Sequence, residues 1–118
     1  MNVYTKYHVS QDQPRTELHD VLSLTGAEVS VNALPAGGSV PFAHAHKQNE
    51  EIYCVTSGRG KAIIDGETIE LAAGDWLRVA PEGRRQFFAA EDEGLSYICI
   101  QVKANSLEGY TMTDGIIC

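Results

Sequence analysis

The chain has 118 residues, 43% of them hydrophobic, which is enough for one ordinary core and too little for two. A formal net charge of −7 argues against nucleic acid or an anionic membrane surface as the main partner. No apolar run reaches the roughly 18 residues needed to cross a bilayer, and the opening residues Met1 to His8 lack a basic segment followed by an apolar one, so a cytoplasmic protein is expected.

Residues 1–15 show no convincing period. Residues 16–24 suggest a short helix, with Thr16 as its cap and Leu18, Val21 and Leu22 toward the core. Residues 27–34 alternate with period two and read as a half-buried antiparallel strand with Val29, Val31 and Ala33 on one face. After a turn from Pro35 to Gly38, a strand pattern resumes at 51–55. Segments 60–64 and 67–71 then flank Asp65-Gly66, a pair that favours a tight hairpin. Further strands are expected at 76–79, 86–89 and 95–102. Short strands separated by Gly, Pro and Asp turns predict an all-β sandwich or barrel without internal repeats. The expected organisation is a single domain, 1–118, with a barrel core of about 27–102, an N-terminal arm 1–26 and a tail 103–118. The tail is mildly apolar, so it can add a strand, cover the barrel mouth or cross to a second subunit.

The chemistry concentrates between Gly38 and Gly58. In extended backbone, residues two apart share a face, so His44 and His46 project together, roughly 6.5 Å apart at their backbones. Polar, turn-prone residues 47–50 follow, after which Glu51 returns to the same interior. Glu50 competes for this role, but Glu51 shares parity with Tyr53 and Val55 on the inward face. Two neutral imidazoles and a carboxylate suit a divalent ion, whether Fe, Mn, Ni or Zn. A carboxylate inside a barrel is expensive to bury without a cation or good donors. The alternative is a barrel that keeps these side chains without metal, or uses them to hydrogen-bond a ligand. His8 and His19 are read as ordinary histidines. Cys54 and Cys99 lie in apolar strand patterns and read as small core residues, and Cys118 as a loose terminus.

The spacing Gly-x5-His-x-His-x4-Glu-x6-Gly, from Gly38 to Gly58, resembles the first signature of the cupin family. A second cupin signature, Gly-x5-Pro-x-Gly-x2-His, has its counterpart from Gly74 to Gln86, with Pro81 one residue late and Gln86 at the place of the last histidine ligand. The resemblance covers about residues 30–102 and implies a jelly-roll β-barrel of two packed antiparallel sheets. It makes Gln86 the candidate fourth metal ligand, through its amide oxygen, or a group that orients water or substrate. Arg84, which shares the parity of Gln86, is the candidate ahead of Arg85 for holding an anionic substrate, the alternative being a solvated turn paired with Glu82, Glu91 or Asp92. Tyr53, following Glu51 on the same face, is the candidate proton carrier. Two histidines and a glutamate leave a divalent ion with net charge +1, able to attract an anion and polarise a carbonyl. The expected function is a metal-dependent enzyme for a small polar or anionic metabolite, of isomerase, lyase or dioxygenase type. The alternative is a non-catalytic small-molecule-binding or sensory module. A homodimer is expected, with Val3, Tyr4, Tyr110, Met112, Ile116 and Ile117 as contacts.

Overall fold

Asp65 and Gly66 both take positive φ, 49° and 84°, and so close a tight hairpin between β3 (Asn49–Ile64) and β4 (Glu67–Ala72). The computed structural model in which they are seen describes residues 3–118. β3 is one strand of 16 residues where the sequence suggested two. Its first half pairs with β7 (Leu95–Lys103) and β5 (Trp76–Val79), and its second half with β4 and β6 (Arg85–Ala89). A register shift between Val55 and Ser57, followed by Gly58 at φ 83°, lets the strand pass from one packed layer to the other. β2 (Glu28–Leu34) lies on the far side of β7, and β1 (Arg15–Glu17) edges β2, giving the antiparallel order β1-β2-β7-β3-β4. Tyr53, Val55, Ala62, Phe87, Leu95 and Tyr97 meet between the layers and form the heart of the core. This is the all-β barrel that the strand pattern predicted, in the jelly-roll form that the family resemblance implied.

The N-terminal region departs from expectation. Thr16 caps nothing; it pairs with Val31 in β1. The helix is a single turn, α1 (His19–Leu22), with Leu18 at its N-cap and no buried residue. Strand pairing has taken the backbone that the helix would have used, since the Leu18 amide donates to the Val29 carbonyl at 2.8 Å. Four residues are too few to present an apolar stripe, and Val21 is exposed.

In β2 the interior face is polar. Ser30 and Asn32 are buried, while Val29, Val31 and Ala33 are half-buried on the outside. Arg15 explains the inversion, because its Nη1 donates to Asn32 Oδ1 at 2.7 Å and gives the polar pair an internal partner. The outer face instead gathers Val29 and Val31 beside Ile98 and Ile100 of β7, then Ile52 and Cys54 of β3. Trp76, opposite Cys54, extends this face and is 67% exposed. Tail residues 104–118 contain a 3-10 turn, Thr111–Thr113, and no strand, and Ile117 is 97% exposed. Among the described residues, no helix is long and apolar enough to cross a membrane.

Candidate metal centre

The segment from Ser39 to His46 runs beside β6, tied by single bridges at Ser39–Phe88 and His44–Arg85. The His44 amide donates to the Arg85 carbonyl at 3.0 Å and the His44 carbonyl accepts from the Arg85 amide at 2.9 Å, while the His46 amide donates to the Pro81 carbonyl at 2.8 Å. The histidines therefore sit on extended, bridged chain rather than on a regular strand. Extended backbone keeps the two-residue period, so both rings point inward, with centroids 5.1 Å apart. Glu51 enters the same space from β3. Glu50 also lies within β3, not in the preceding turn, and its opposite parity turns it outward to Arg78 Nε at 2.7 Å.

His46 Nε2 lies 3.1 Å from Glu51 Oε2, and His44 Nε2 lies 3.6 Å from Oε1. One donor atom from each of the three residues falls within 4.8 Å of the others, a cluster able to hold a metal ion. The Glu51 side chain is buried, yet His46 Nε2 and His44 Nδ1, also buried, have no hydrogen-bond partner. Buried polar atoms are ordinarily paired. A ring nitrogen and a carboxylate oxygen this close without a hydrogen bond are placed to share a third centre, and the N/O donor set suits a borderline divalent ion.

Glu51 is held by more than the histidines. Arg85, fully buried at 0% exposure, places Nη1 2.6 Å from Oε1, and the Tyr53 hydroxyl donates to the same oxygen. Burial pushes the Glu51 carboxyl upward, but the Tyr53 hydroxyl, His46 and Arg85 outweigh it and hold the group below the usual carboxylate range. Burial also lowers His44, against the pull of Glu51, which keeps its lone pair free near neutral pH. Tyr53 is raised far above a free phenol, chiefly by burial, and Cys99 is pushed up to about 12 by burial and then by Glu51. Its thiol is thus inert at neutral pH, in keeping with a small core residue.

The other expected site residues are distributed unequally. Tyr53 does stand beside Glu51, its ring packed 4.3 Å from that of Phe87. Gln86 reaches the cavity edge, but its Nε2 donates to the Val40 carbonyl at 2.7 Å. Arg84 is exposed, and it lines an outer hollow with Ala43, Asp65 and Gly66, apart from the histidines. Arg85, ranked behind Arg84 from sequence, is the arginine that turns inward. Arg85 shares parity with Phe87 and Ala89, the buried positions of β6, but Phe88 on the opposite parity leaves the inward face ambiguous in the sequence. Arg15 also lines the chamber, and no periodicity in residues 1–15 pointed to it. The inner chamber, about 90 Å³, opens toward a mouth of about 520 Å³ rimmed by Arg15, Val40, Phe42 and His44. A separate groove of about 490 Å³ on the outside of β3, β4 and β6 has no histidine or cysteine in its lining.

A small antiparallel jelly roll with a His-His-Glu cluster inside defines a class of barrel built to hold an ion or small molecule at its centre. The chain belongs to the cupin family, and residues 30–101 match the Cupin domain model. It is similar to the crystal structure of a cupin protein from Bacteroides fragilis, with 64% identity, TM-score 0.97 and coverage of 100% of this chain and 99% of that one. It also resembles a sugar phosphate isomerase of the cupin superfamily from Silicibacter pomeroyi, with 21% identity, TM-score 0.66 and coverage of 77% and 60% respectively. That second likeness is one of fold. Among curated proteins, an uncharacterized protein of Methanocaldococcus jannaschii is 38% identical over 45 residues, which is 38% of this chain and 36% of that protein's length.

Proposed function

We propose that the chain is a metal-dependent enzyme acting on a small polar or anionic metabolite. His44, His46 and Glu51 would hold a divalent ion, one of Fe, Mn, Ni or Zn. The observation that carries this reading is the pair of buried imidazole nitrogens without partners beside a buried carboxylate. When bound, such an ion supplies Lewis-acid polarisation of a carbonyl, or redox chemistry if it is iron. The protein's own groups do the positioning. Tyr53 and Arg85 fix Oε1 of Glu51, so that Oε2 alone faces His46. Arg15, half-exposed between chamber and mouth, holds an anionic group of the substrate. Phe87 and Tyr97 exclude water from the chamber wall. Arg84 has no part in this scheme, and Gln86 braces the Val40 segment. Isomerisation of a small oxygenated anion is the first reaction to assay, given the isomerase among the structural neighbours.

The test is calorimetric titration of untagged, chelator-treated protein with each of the four ions, and one equivalent per chain is expected. No uptake of any ion would sink the reading. Gln86→His should leave affinity within about twofold, whereas a position facing the ion would bind it markedly tighter with imidazole. A second reading, a barrel that binds a small ligand without chemistry, is favoured by the compensation of Glu51 by Arg85 without any ion. Ligand binding that survives chelation would select it.

We further propose that the chain acts as a single domain that pairs as a homodimer. The outer face of Val29, Val31, Ile98, Ile100 and Trp76 supports this, as do the exposed apolar groups of arm and tail. Light scattering should give twice the chain mass, and Trp76→Glu should give the monomer. A wild-type mass of 12.8 kDa at micromolar concentration excludes pairing.

A further inference from the structure

Arg85 is a permanent cation built into the wall of the metal cluster. Its Nε donates to the Gly83 carbonyl at 2.9 Å, its Nη2 to the Ala80 carbonyl at 2.7 Å, and its Nη1 to Glu51 Oε1 at 2.6 Å. Each of the three guanidinium nitrogens thus has an acceptor, and the group is held in the interior. Glu51 Oε1, the oxygen nearer His44, already accepts from Arg85 and Tyr53, which leaves Oε2, beside His46, as the oxygen without those donors.

The charge count of the site changes accordingly. Two neutral imidazoles and one carboxylate would leave a divalent ion with a net charge of +1. Including the guanidinium, the protein groups sum to zero and the ion's full +2 remains. Arg15 and Glu28, which also line the chamber, cancel one another, and the aromatic walls of Phe87, Tyr53 and Tyr97 supply no counter-charge. Away from bulk water such an excess is unfavourable. We propose that Arg85 makes metal binding depend on a small carboxylate-type anion, which enters with the ion and completes the neutralisation. Arg85 acts as a positioning residue that sets the charge of the site without contacting the ion. The inner chamber, about 90 Å³, admits a carboxylate head and leaves any longer chain in the mouth. The inference rests on the metal reading above and names the substrate class for it.

The experiment is titration of Mn²⁺ or Zn²⁺ into chelator-treated protein, with acetate or perchlorate as the salt at equal ionic strength. Wild type should bind the ion about tenfold or more tightly in acetate, and because coupling is reciprocal the ion should raise acetate affinity by the same factor. Arg85→Gln should bind the ion about tenfold or more tightly than wild type in perchlorate, with little further gain from acetate. Arg85→Lys, which keeps the charge, should retain the dependence on acetate. Equal wild-type affinity in the two salts overturns the proposal, as does a folded Arg85→Gln protein with undiminished acetate dependence. If Arg85→Gln fails to fold by circular dichroism, the wild-type comparison decides alone. Absence of metal uptake in both salts would instead overturn the metal reading, and this inference with it.

Discussion

His44→Ala and His46→Ala are expected to lose metal binding by more than about 100-fold while keeping the fold. Loss of an outer-shell partner alone typically costs about 10–100-fold, and each of these variants deletes one of three converging donors. Both rings lie on a bridged segment outside the core cluster, so truncation disturbs little packing. Glu51→Gln should also lose the ion, and it should destabilise the barrel besides. The change leaves the buried Arg85 guanidinium without its counter-charge, and breaking a buried pair from one side costs about 3–5 kcal/mol. Glu50→Gln is the control. Its carboxylate faces Arg78 on the exterior, where an exposed pair is worth about 0–1 kcal/mol, so metal affinity and stability should both hold. Calorimetric titration and thermal denaturation of the four variants check these outcomes together. Metal loss in Glu50→Gln with retention in Glu51→Gln would reverse the assignment.

The largest effect on stability is expected from Gly58→Ala. Gly58 sits at φ 83°, and an added Cβ would lie 1.8 Å from the Gly94 carbonyl oxygen and 2.8 Å from its carbon. These are backbone atoms next to β7, so relief requires parting β3 from β7 at the point where β3 changes layer. Left-handed backbone alone costs a non-glycine residue about 1–2 kcal/mol. With the clash, a loss of about 3–5 kcal/mol is expected, against a total stability of about 5–15 kcal/mol. Thermal denaturation should show a Tm about 10–20 °C lower, or no soluble protein. Gly66→Ala separates the two causes. It has nearly the same φ, 84°, but nothing within 4 Å of the added carbon, so only the backbone cost of about 1–2 kcal/mol should appear. Equal losses in the two variants would show that the Gly94 contact contributes nothing. The last glycine of the first cupin signature is thus explained by strand geometry, apart from the metal.

The class of fold and three of the site residues were legible in the sequence because their signals are local. Asp65-Gly66 sets its own turn, and the strands declare themselves by alternation. His44, His46 and Glu51 fall within eight consecutive positions, so the two-residue period is enough to aim them at one point. Tertiary structure decided what depends on distant partners. Residues 15–17 became an edge strand because Ser30, Val31 and Asn32 of β2 were there to pair with them. The two strands expected on either side of Gly58 merged into β3 because β7 runs against the bend. The interior side of β2 became polar because Arg15 reached across to Asn32. Among Arg84, Arg85 and Gln86, a shift of one residue exchanges the faces of the strand, and the preceding turn, with Pro81 one place late, does not reveal which side faces in. The pairing of Ala62 with Phe87 turned Phe87 and Arg85 inward, and that placed a buried cation against Glu51.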